Sequence, residues 1–328
     1  MSLSLTRAGF LTSVQDLGRN GFRQFGVSLG GALDVFALRV ANLLAGNDES
    51  DAGLEITLGG LRMRFEDKRV IAWCGGEFDV RIGSTPLPAG HSCLMDADDE
   101  LTINQPKIGC RAWLAISGGI DVPLVLGSRS TDLRANFGGL DGRALREGDG
   151  LPLGKQSEFS QSLIDLLREQ RVASWSSPAE WSSSAKTETV LRIIRGVDWS
   201  RFNDVTIQRL TRDAFVVSSD SDRMGVRFDG PELRRNDDVD LVSEAVAPGT
   251  IQVPPNGRPI LLLGDCQTIG GYPKIAHVIT VDLPLAAQLR GGDRVRFSEV
   301  SIADAYRFLL ERERQLERFR IGLSLHDS

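Results

Sequence analysis

A polar, glycine-containing segment that directly follows an apolar run has the residue types of a binding or catalytic loop. Residues 259–263 read PILLL, and residues 264–273 read GDCQTIGGYP. A buried strand that ends in Asp, Gln and Thr can present these side chains at a sheet edge, and the paired glycines Gly270 and Gly271 allow close approach of a ligand or another loop. The alternative is a tight turn ended by Pro273, because Gly and Pro mark turns more often than sites. Other segments are needed to choose between the two.

A second polar cluster lies near the amino terminus, where Gln15, Asp16 and Arg19 fall within five residues. The guanidinium of Arg19 can bind a carboxylate or phosphate through two parallel hydrogen bonds, and Asp16 can orient that guanidinium or accept a proton. An Asp–Arg pair that stabilises a loop has the same spacing. Spacing alone favours this structural interpretation.

The middle of the chain contains hydroxyl groups and a guanidinium between glycines. Residues 117–121 read SGGID and residues 127–131 read GSRST, with Arg129 at the centre of the second motif. Such a group can bind an oxyanion. The motif lacks the second glycine of the G-x-S-x-G nucleophile elbow, so it does not indicate a serine hydrolase.

Further candidates occur in the second half of the chain. Residues 221–225 read SDRMG and include Arg223, and Gln252 follows in a strand-like segment. Glu244 can serve as a general base if it is buried beside Arg223, although surface glutamates far outnumber catalytic ones. Each of these residues also has an ordinary structural explanation.

Composition restricts the class of protein. The net charge of -6 and the pI near 5.3 argue against a duplex nucleic-acid binder. From the amino-terminal residues we expect no secretory leader, and the sequence contains neither an apolar run of membrane-spanning length nor a G-x-x-x-x-G-K-[ST] nucleotide motif. The four cysteines form no C-x-x-C pair, so neither a metal site nor a redox motif is expected. We expect a cytoplasmic protein with small-molecule or protein partners.

Short apolar runs between Gly, Pro and Asp predict a mainly β fold and disfavour a doubly wound α/β fold. The predicted strands are residues 61–65, 70–73, 78–82, 101–103, 112–116, 191–195, 214–218, 260–263 and 295–297. Helical periodicity predicts three helices. They are residues 32–44 with Asp34 as a cap, a segment around 160–168, and an amphipathic terminal helix at 302–319.

A faint internal repeat indicates two related domains. LREGD at 145–149 recurs as LRGGD at 289–293, and LGSRST at 126–131 is similar to LGDCQT at 263–268. A Ser-rich segment lies between the copies. We therefore predict a first β domain at 1–153, a connector at 154–189, and a second β domain with the terminal helix at 190–328.

Taken in order, these segments resemble the allophanate hydrolase subunit 2 family, also described as the C-subunit of 5-oxoprolinase or Kip antagonist, which is related to biotin-dependent carboxyltransferases. The resemblance covers the chain outside the connector and the tail. It rests on VQDLGR at 14–19, GALD at 31–34, AN at 41–42, GN at 46–47, GG at 118–119, GSRST at 127–131, SDRMG at 221–225, IQVP at 251–254 and QTIGGYP at 267–273. The chain departs from the family pattern at Ile269 and within residues 26–30, which leaves the substrate open.

The resemblance implies two tandem cyclophilin-like β-barrel domains with a few helices. It also implies a Kip-inhibitor-like subunit 1 and a larger oxoprolinase subunit as partners, and ATP-dependent opening of the 5-oxoproline lactam to glutamate. Because this chain has no recognisable nucleotide motif, the resemblance leaves open which subunit binds ATP. Two alternatives remain: a regulatory protein that binds a kinase-inhibitor-like partner, and a carboxyltransferase half of a urea carboxylase or allophanate-type system.

Motif matching assigns roles to individual residues. The arginines would orient a carboxylate or phosphate, and the glutamines would hold amide groups. The expected catalytic residues are Asp16, Arg129, Glu244 and Gln267. The expected substrate-binding residues are Gln15, Arg19, Arg223, Gln252, Thr268, Gly270, Gly271 and Tyr272. No metal ligand is expected.

Overall fold

The computed structural model describes residues 2–182, 188–236 and 241–325, and these residues confirm a mainly β fold. The strands are β1 (Ser2–Ala8), β2 (Leu11–Gln15), β3 (Gly53–Thr57), β4 (Leu61–Phe65), β5 (Arg69–Ile82), β6 (Thr85–Pro86), β7 (Cys93–Met95), β8 (Glu100–Ile116), β9 (Gly150–Pro152), β10 (Glu188–Arg195), β11 (Phe215–Val217), β12 (Gly225–Asp229), β13 (Glu244–Ala245), β14 (Thr250–Gln252), β15 (Ile260–Leu262), β16 (Ile269–Gly270), β17 (Lys274–Val278) and β18 (Arg294–Glu299). The helices are α1 (Val35–Leu44), α2 (Glu158–Leu166), α3 (Ala179–Ser182), α4 (Asp204–Arg212), α5 (Leu283–Ala287) and α6 (Ile302–Ser324).

The described residues form two compact units, each containing one main sheet. The first unit comprises residues 2–19, 30–182 and 315–325, and the second comprises 20–29, 188–236 and 241–314. Residues 154–182, which the sequence assigns to a connector, thus lie within the first unit. The domain boundaries at 153 and 190 stay a prediction.

The first unit contains a nine-stranded sheet among the residues that the structure describes. Its main order is β2-β3-β8-β4-β1-β9, and β5 pairs with β6, β7 and β8. The short strands predicted at 70–73 and 78–82 are one strand, β5, and those at 101–103 and 112–116 are one strand, β8. This part of the strand prediction was wrong because β-bulges between Gly75 and Val80 absorb the local irregularity without ending the pairing.

Alternating burial fixes the inner face of this sheet. In β4, Leu61, Met63 and Phe65 are buried while Arg62 and Arg64 are exposed, which is the two-residue period of a strand with one face on the core. The buried side chains join one apolar cluster with residues of β1, β3, β5 and β8. This cluster gives the first unit its own core.

The second unit contains a closed barrel with the order β10-β17-β14-β15-β12-β11-β18, counted over described residues. All neighbouring pairs are antiparallel except β10 and β18, which are parallel. Phe215, Phe228 and Phe297 meet inside the barrel with ring centroids 5.5 to 6.3 Å apart, a range typical of aromatic contacts in cores. Because the barrel is closed, each of these described strands is hydrogen-bonded to a neighbouring strand on both of its edges.

The three predicted helices are present, with shifted ends. α1 begins after Asp34, whose Oδ1 accepts a hydrogen bond from the Ala37 amide at 2.8 Å, so the predicted cap is confirmed. α2 begins two residues before the predicted start and is capped by Ser157. α6 runs from Ile302 to Ser324, beyond the predicted end at 319.

Candidate functional site

The predicted site residues are divided between the two units, and each group is described within its own unit. Gln15, Asp16, Arg19 and Arg129 belong to the first unit. The others belong to the second: Arg223, Glu244, Gln252, Gln267, Thr268, Gly270, Gly271 and Tyr272. The catalytic and binding roles assigned to them stay predictions.

In the first unit, Asp16 is the acceptor at the centre of a buried hydrogen-bond network. Its Oδ1 accepts from Ser128 Oγ at 2.6 Å and from Ser130 Oγ at 2.5 Å. The same oxygen accepts from the Gly18 amide at 2.8 Å, while Oδ2 accepts from the Arg129 amide at 2.5 Å. Four donors satisfy most of the hydrogen-bonding capacity of a carboxylate. The arrangement ties the amino-terminal segment to residues 128–130.

Arg19 and Gln15 are fully buried next to this network. The Arg19 guanidinium donates to the Ser130 carbonyl and lies over the Phe137 ring, 4.5 Å from its centroid. Gln15 Nε2 donates to Ser13 Oγ at 3.0 Å and to the Thr131 carbonyl at 3.2 Å. In this geometry both side chains hold the loop in place. Direct contact of Arg19 with a substrate would require the packing around it to open.

Arg129 differs from these three residues because its side chain reaches solvent. Its Nε donates to the Val122 carbonyl at 2.9 Å, and its Nη2 donates to Asp121 Oδ1 at 2.8 Å. The Arg129 side chain is 31% exposed and that of Asp121 is 57% exposed. Arg129 is therefore the member of this group that is best placed to meet a ligand.

A cavity of about 1020 Å³ also lies in the first unit, and none of the predicted residues lines it. Two of its charged groups, Arg320 and Glu317, are paired with each other at 2.6 Å. Asp51 lines the same cavity, and burial raises the pKa of its carboxyl group. The sequence motifs contribute Leu17, Gly46, Asn47 and Gly118 to its walls, and none of these four was assigned a catalytic or binding role.

In the second unit, a buried ion pair fixes the start of the Gln267 loop, residues 264–273. Arg223 Nε donates to Asp265 Oδ2 at 2.8 Å, and Arg223 Nη2 donates to Asp265 Oδ1 at 3.0 Å. Both side chains are almost fully buried, and the Asp265 amide donates to the Arg223 carbonyl. This two-point contact positions the loop directly after β15. The Arg223 guanidinium is occupied by Asp265, which points to positioning rather than direct substrate contact.

The far side of the Gln267 loop forms a short ribbon, in which β16 pairs with β13. A Cβ on Gly270 would lie 2.8 Å from Gln252 Nε2, so the absence of a side chain permits this close approach. Glu244 on β13 is 64% exposed and pairs with Lys274 Nζ at 3.1 Å. The condition set for a base role, burial of Glu244 beside Arg223, is not met, because Arg223 is paired with Asp265 and Glu244 is exposed. Its role as a base stays a prediction.

Gln252, Gln267 and Tyr272 line a cavity of about 480 Å³ on the barrel. Gln252 is buried, its Nε2 donates to the Tyr272 carbonyl at 3.2 Å, and its Oε1 accepts from Gln267 Nε2 at 3.4 Å. Gln267 is exposed and Tyr272 is 45% exposed. The structure thus brings two amide side chains and a phenol to one small polar cavity. Such a set can orient an amide-containing ligand.

Sequence reasoning missed Arg23, which contacts the chain next to both strands of the ribbon. Its Nη2 donates to the Val246 carbonyl and, at 3.4 Å, to the Gln267 carbonyl. Cys266, within the Gln267 loop, is buried in a small apolar cluster with Val246 and Leu262. Burial raises the pKa of the Cys266 thiol, and the nearby Arg23 guanidinium opposes part of that rise. No local sequence pattern identifies Arg23, since its acceptors lie more than 220 residues away.

The described residues contain neither a metal-binding cluster nor a helix suited to span a membrane. Residues 2–182, 188–236 and 241–325 contain no group of three or more His, Cys, Asp or Glu side chains placed to hold a metal ion. None of the helices in these described segments combines the length and apolar character needed to span a membrane.

The barrel and its amide-lined cavity have the geometry of a small-molecule site on a β scaffold. The chain belongs to the family "Carboxyltransferase domain, subdomain A and B", whose model matches residues 25–299. It is 40% identical over 319 residues to the C-subunit of 5-oxoprolinase from Escherichia coli, covering 96% of this chain and 97% of that protein. It is 35% identical over 308 residues to the corresponding 5-oxoprolinase C-subunit of Haemophilus influenzae, covering 94% of each.

The fold is also similar to a much longer protein of known structure. The Kluyveromyces lactis urea carboxylase matches 97% of this chain with a TM-score of 0.88 and 27% sequence identity. This chain spans 29% of that protein. The family resemblance noted from the sequence motifs is confirmed, and so is the fold class that it implied.

Proposed function

We propose that this protein is a subunit of an ATP-dependent 5-oxoprolinase complex that opens 5-oxoproline to glutamate. The observation that supports this most directly is the end-to-end match to the 5-oxoprolinase C-subunit of Escherichia coli, which covers 96% of one chain and 97% of the other. A match over the full length of both chains supports a shared role better than a match to one part of a longer enzyme.

The cavity of the second unit suits the chemistry of a lactam. Amide resonance makes a lactam a poor electrophile, and ATP-dependent phosphorylation of the amide oxygen would create a leaving group. Gln252 and Gln267 can hold the amide of the ring, because their side chains meet at 3.4 Å and both line the cavity. We assign the ATP site to the complex and not to a particular subunit.

The acid–base roles are part of the same proposal. Asp16 and Glu244 are the candidate groups, with Arg129 as the partly exposed cation of the first unit. Gln15 and Arg19 hold the loop that presents Arg129, while Thr268, Gly270, Gly271 and Tyr272 shape the Gln267 loop. The partners proposed are a Kip-inhibitor-like subunit 1 and a larger oxoprolinase subunit.

A carboxyltransferase activity is the second candidate, because the fold matches urea carboxylase with a TM-score of 0.88. In that case the same amide-lined cavity would hold urea or a related amide beside a carboxybiotin supplied by another chain. Carboxyl transfer requires a biotin carrier, whereas lactam opening requires ATP and water. The two candidates therefore differ in the reagents that they consume.

Reconstitution tests the proposal. This chain is co-expressed with subunit 1 and the larger subunit, and the release of glutamate and ADP from 5-oxoproline is measured with each subunit omitted in turn. We expect both products to appear only when this chain is present. Equal turnover without this chain would contradict the proposal. A stable but inactive complex would favour the regulatory or carboxyltransferase alternatives, and urea with a biotin carrier would be assayed next.

A further inference from the structure

One arginine of the second unit lines the amide-lined cavity and was not among the predicted site residues. Arg227 lies in the middle of β12, between the buried side chains of Val226 and Phe228. Alternation along the strand therefore turns Arg227 outward. There it lines the 480 Å³ cavity together with Gln252 and Gln267.

The Arg227 guanidinium has no hydrogen bond or ion pair with any described residue, whereas the other charged groups of the cavity wall are largely occupied. Arg258 Nη1 pairs with Asp229 Oδ1 at 2.7 Å. Asp222 Oδ1 accepts from the Met224 and Gly225 amides at 2.8 and 3.2 Å. Only the backbone of Arg227 is bonded, to Ser221 and Ser218. The cavity thus holds a cation available to a ligand.

The charge of the lining restricts the kind of anion. Asp220, Asp222 and Asp229 contribute three carboxylates, and Arg227 and Arg258 contribute two guanidiniums, so the lining carries a net charge of -1. A polyphosphate would meet strong repulsion from these carboxylates. A single carboxylate can pair with one guanidinium through two parallel hydrogen bonds. The cavity therefore favours a small monoanion over a nucleotide.

The neutral groups of the cavity complement an amide. Gln252 uses its Nε2 on the Tyr272 carbonyl and its Oε1 on Gln267. Gln267 is exposed, and its Oε1 and remaining N–H are directed to no described partner. A primary amide with one free acceptor and one free donor can pair with the N–H and C=O of a lactam. Guanidinium and amide together match a molecule that has a carboxylate beside a cyclic amide.

We propose that Arg227 binds the carboxylate of a small lactam acid in this cavity, with Gln267 on the lactam amide. This inference rests on the proposed function for its choice of ligand, and it makes Arg227 the residue that determines specificity for a carboxylate-bearing ring. Arg223, four residues earlier in the chain, is excluded from this role by its buried pair with Asp265. ATP binds elsewhere in the complex.

Two probes that differ only in the carboxylate test the inference. 5-Oxoproline and 2-pyrrolidinone, the same ring without the carboxylate, are titrated by calorimetry into the full chain and into the assembled complex. Arg227→Gln should weaken 5-oxoproline binding about 10- to 100-fold, the loss expected for a charged hydrogen-bonded pair, and leave 2-pyrrolidinone binding unchanged. Arg258→Gln removes the same charge from the same cavity wall, and it should change 5-oxoproline binding less than about threefold, because Arg258 is already paired.

The outcomes separate this inference from the proposed function. If the complex does not turn over 5-oxoproline but binding remains dependent on Arg227, the inference stands and the proposed function falls. If the complex is active and Arg227→Gln binds both probes as the unmodified protein does, the inference falls alone. Failure of the unmodified chain and complex to bind 5-oxoproline, or equal binding of the two probes, would also overturn it. Unchanged thermal unfolding of both variants confirms that each is folded.

Discussion

Two loops of similar sequence, one in each unit, use their polar residues in opposite ways. In the first unit, Ser128, Ser130 and Thr131 are fully buried, and the two serines donate to Asp16. In the second unit, the Gln267 loop is fixed by Asp265 at its start, and Gln267 itself remains exposed beside a cavity. A glycine-flanked polar loop can therefore either be held in place by buried hydrogen bonds or present exposed side chains to a ligand. The position of the buried carboxylate decides which of these two arrangements the loop adopts.

The largest effect is expected for Asp16→Ala, because it removes the acceptor of four hydrogen bonds in a buried network. We expect the free energy of unfolding to fall by about 3 kcal/mol or more, measured by denaturant titration. Asp121→Ala is the matched control, since it removes an exposed carboxylate that pairs with Arg129, and it should cost under about 1 kcal/mol. Equal losses in the two variants would mean that the first loop is not locked by Asp16.

Gln267→Ala should have the opposite profile, with activity lost and stability kept. If Gln267 makes a transition-state contact, turnover of the assembled complex should fall about 100-fold, equivalent to about 2.7 kcal/mol. The free energy of unfolding should change by less than about 0.5 kcal/mol, because the side chain is exposed. Gln208→Ala, at an exposed position of α4 in the same unit, is the control and should alter neither quantity.

Arg129→Ala provides the counterpart in the first unit, since Arg129 is the partly exposed member of its group. The same assay should show a loss of about 100-fold if the Arg129 guanidinium also contacts the transition state. Turnover unchanged in both the Arg129 and the Gln267 variants would remove these two residues from the site. A loss for Gln267 alone would place the chemistry on the open loop and extend the contrast between the two loops.

A smaller effect is expected for Arg23→Ala, because Arg23 positions the Gln267 loop without lining the cavity. Loss of the hydrogen bonds to the Val246 and Gln267 carbonyls should lower turnover about tenfold. Hydrogen exchange should become faster in β13 and β16, a change that a direct catalytic role would not require. Arg195→Ala, which breaks an exposed pair with Glu299, is the control. Arg23→Lys should restore part of the protection, because a single ammonium can still donate to these carbonyls.

Local patterns in the sequence were sufficient to predict much of the fold. The short apolar run at 61–65 predicted β4 with the observed bounds, and the Asp34 cap located the start of α1. The continuity of β5 and β8 could not be predicted, because Gly75 and Pro106 resemble strand ends until the partner strand shows that bulges accommodate them. Such irregularities are decided by long-range pairing and not by the residues nearby.

The candidate site was predictable in composition but not in geometry. The motifs identified Gln252, Gln267 and Tyr272, which the structure places around one cavity. They could not show that Asp16 accepts hydrogen bonds from Ser128 and Ser130, which lie more than 110 residues further along the chain. Nor could they show that Lys274 is the ion-pair partner of Glu244. Arg227 could have been identified from strand alternation, since Val226 and Phe228 on either side predict an outward side chain. Its lack of an ion pair with any described residue required the folded structure.

The smallest effect concerns the pH dependence of the second unit, through His277 on β17. Its Nδ1 lies 3.2 Å from Thr250 Oγ1, and burial together with the nearby Lys274 charge lowers the pKa of its imidazole below the ordinary 6.5.

In the range between the lowered pKa of His277 and 6.5, the unfolded chain binds more protons than the folded chain, so stability rises with pH. The His277 contribution is complete above this range and is lost as pH falls through it, with a slope of at most about 1.4 kcal/mol per pH unit. His277→Gln should flatten the part of the unfolding profile that lies below about pH 6.5, measured by denaturant titration at a series of pH values. Identical profiles for the His277 variant and the unmodified protein would show that the pH dependence of the free energy of unfolding arises outside the barrel. The two units would then differ only in how they expose their loops.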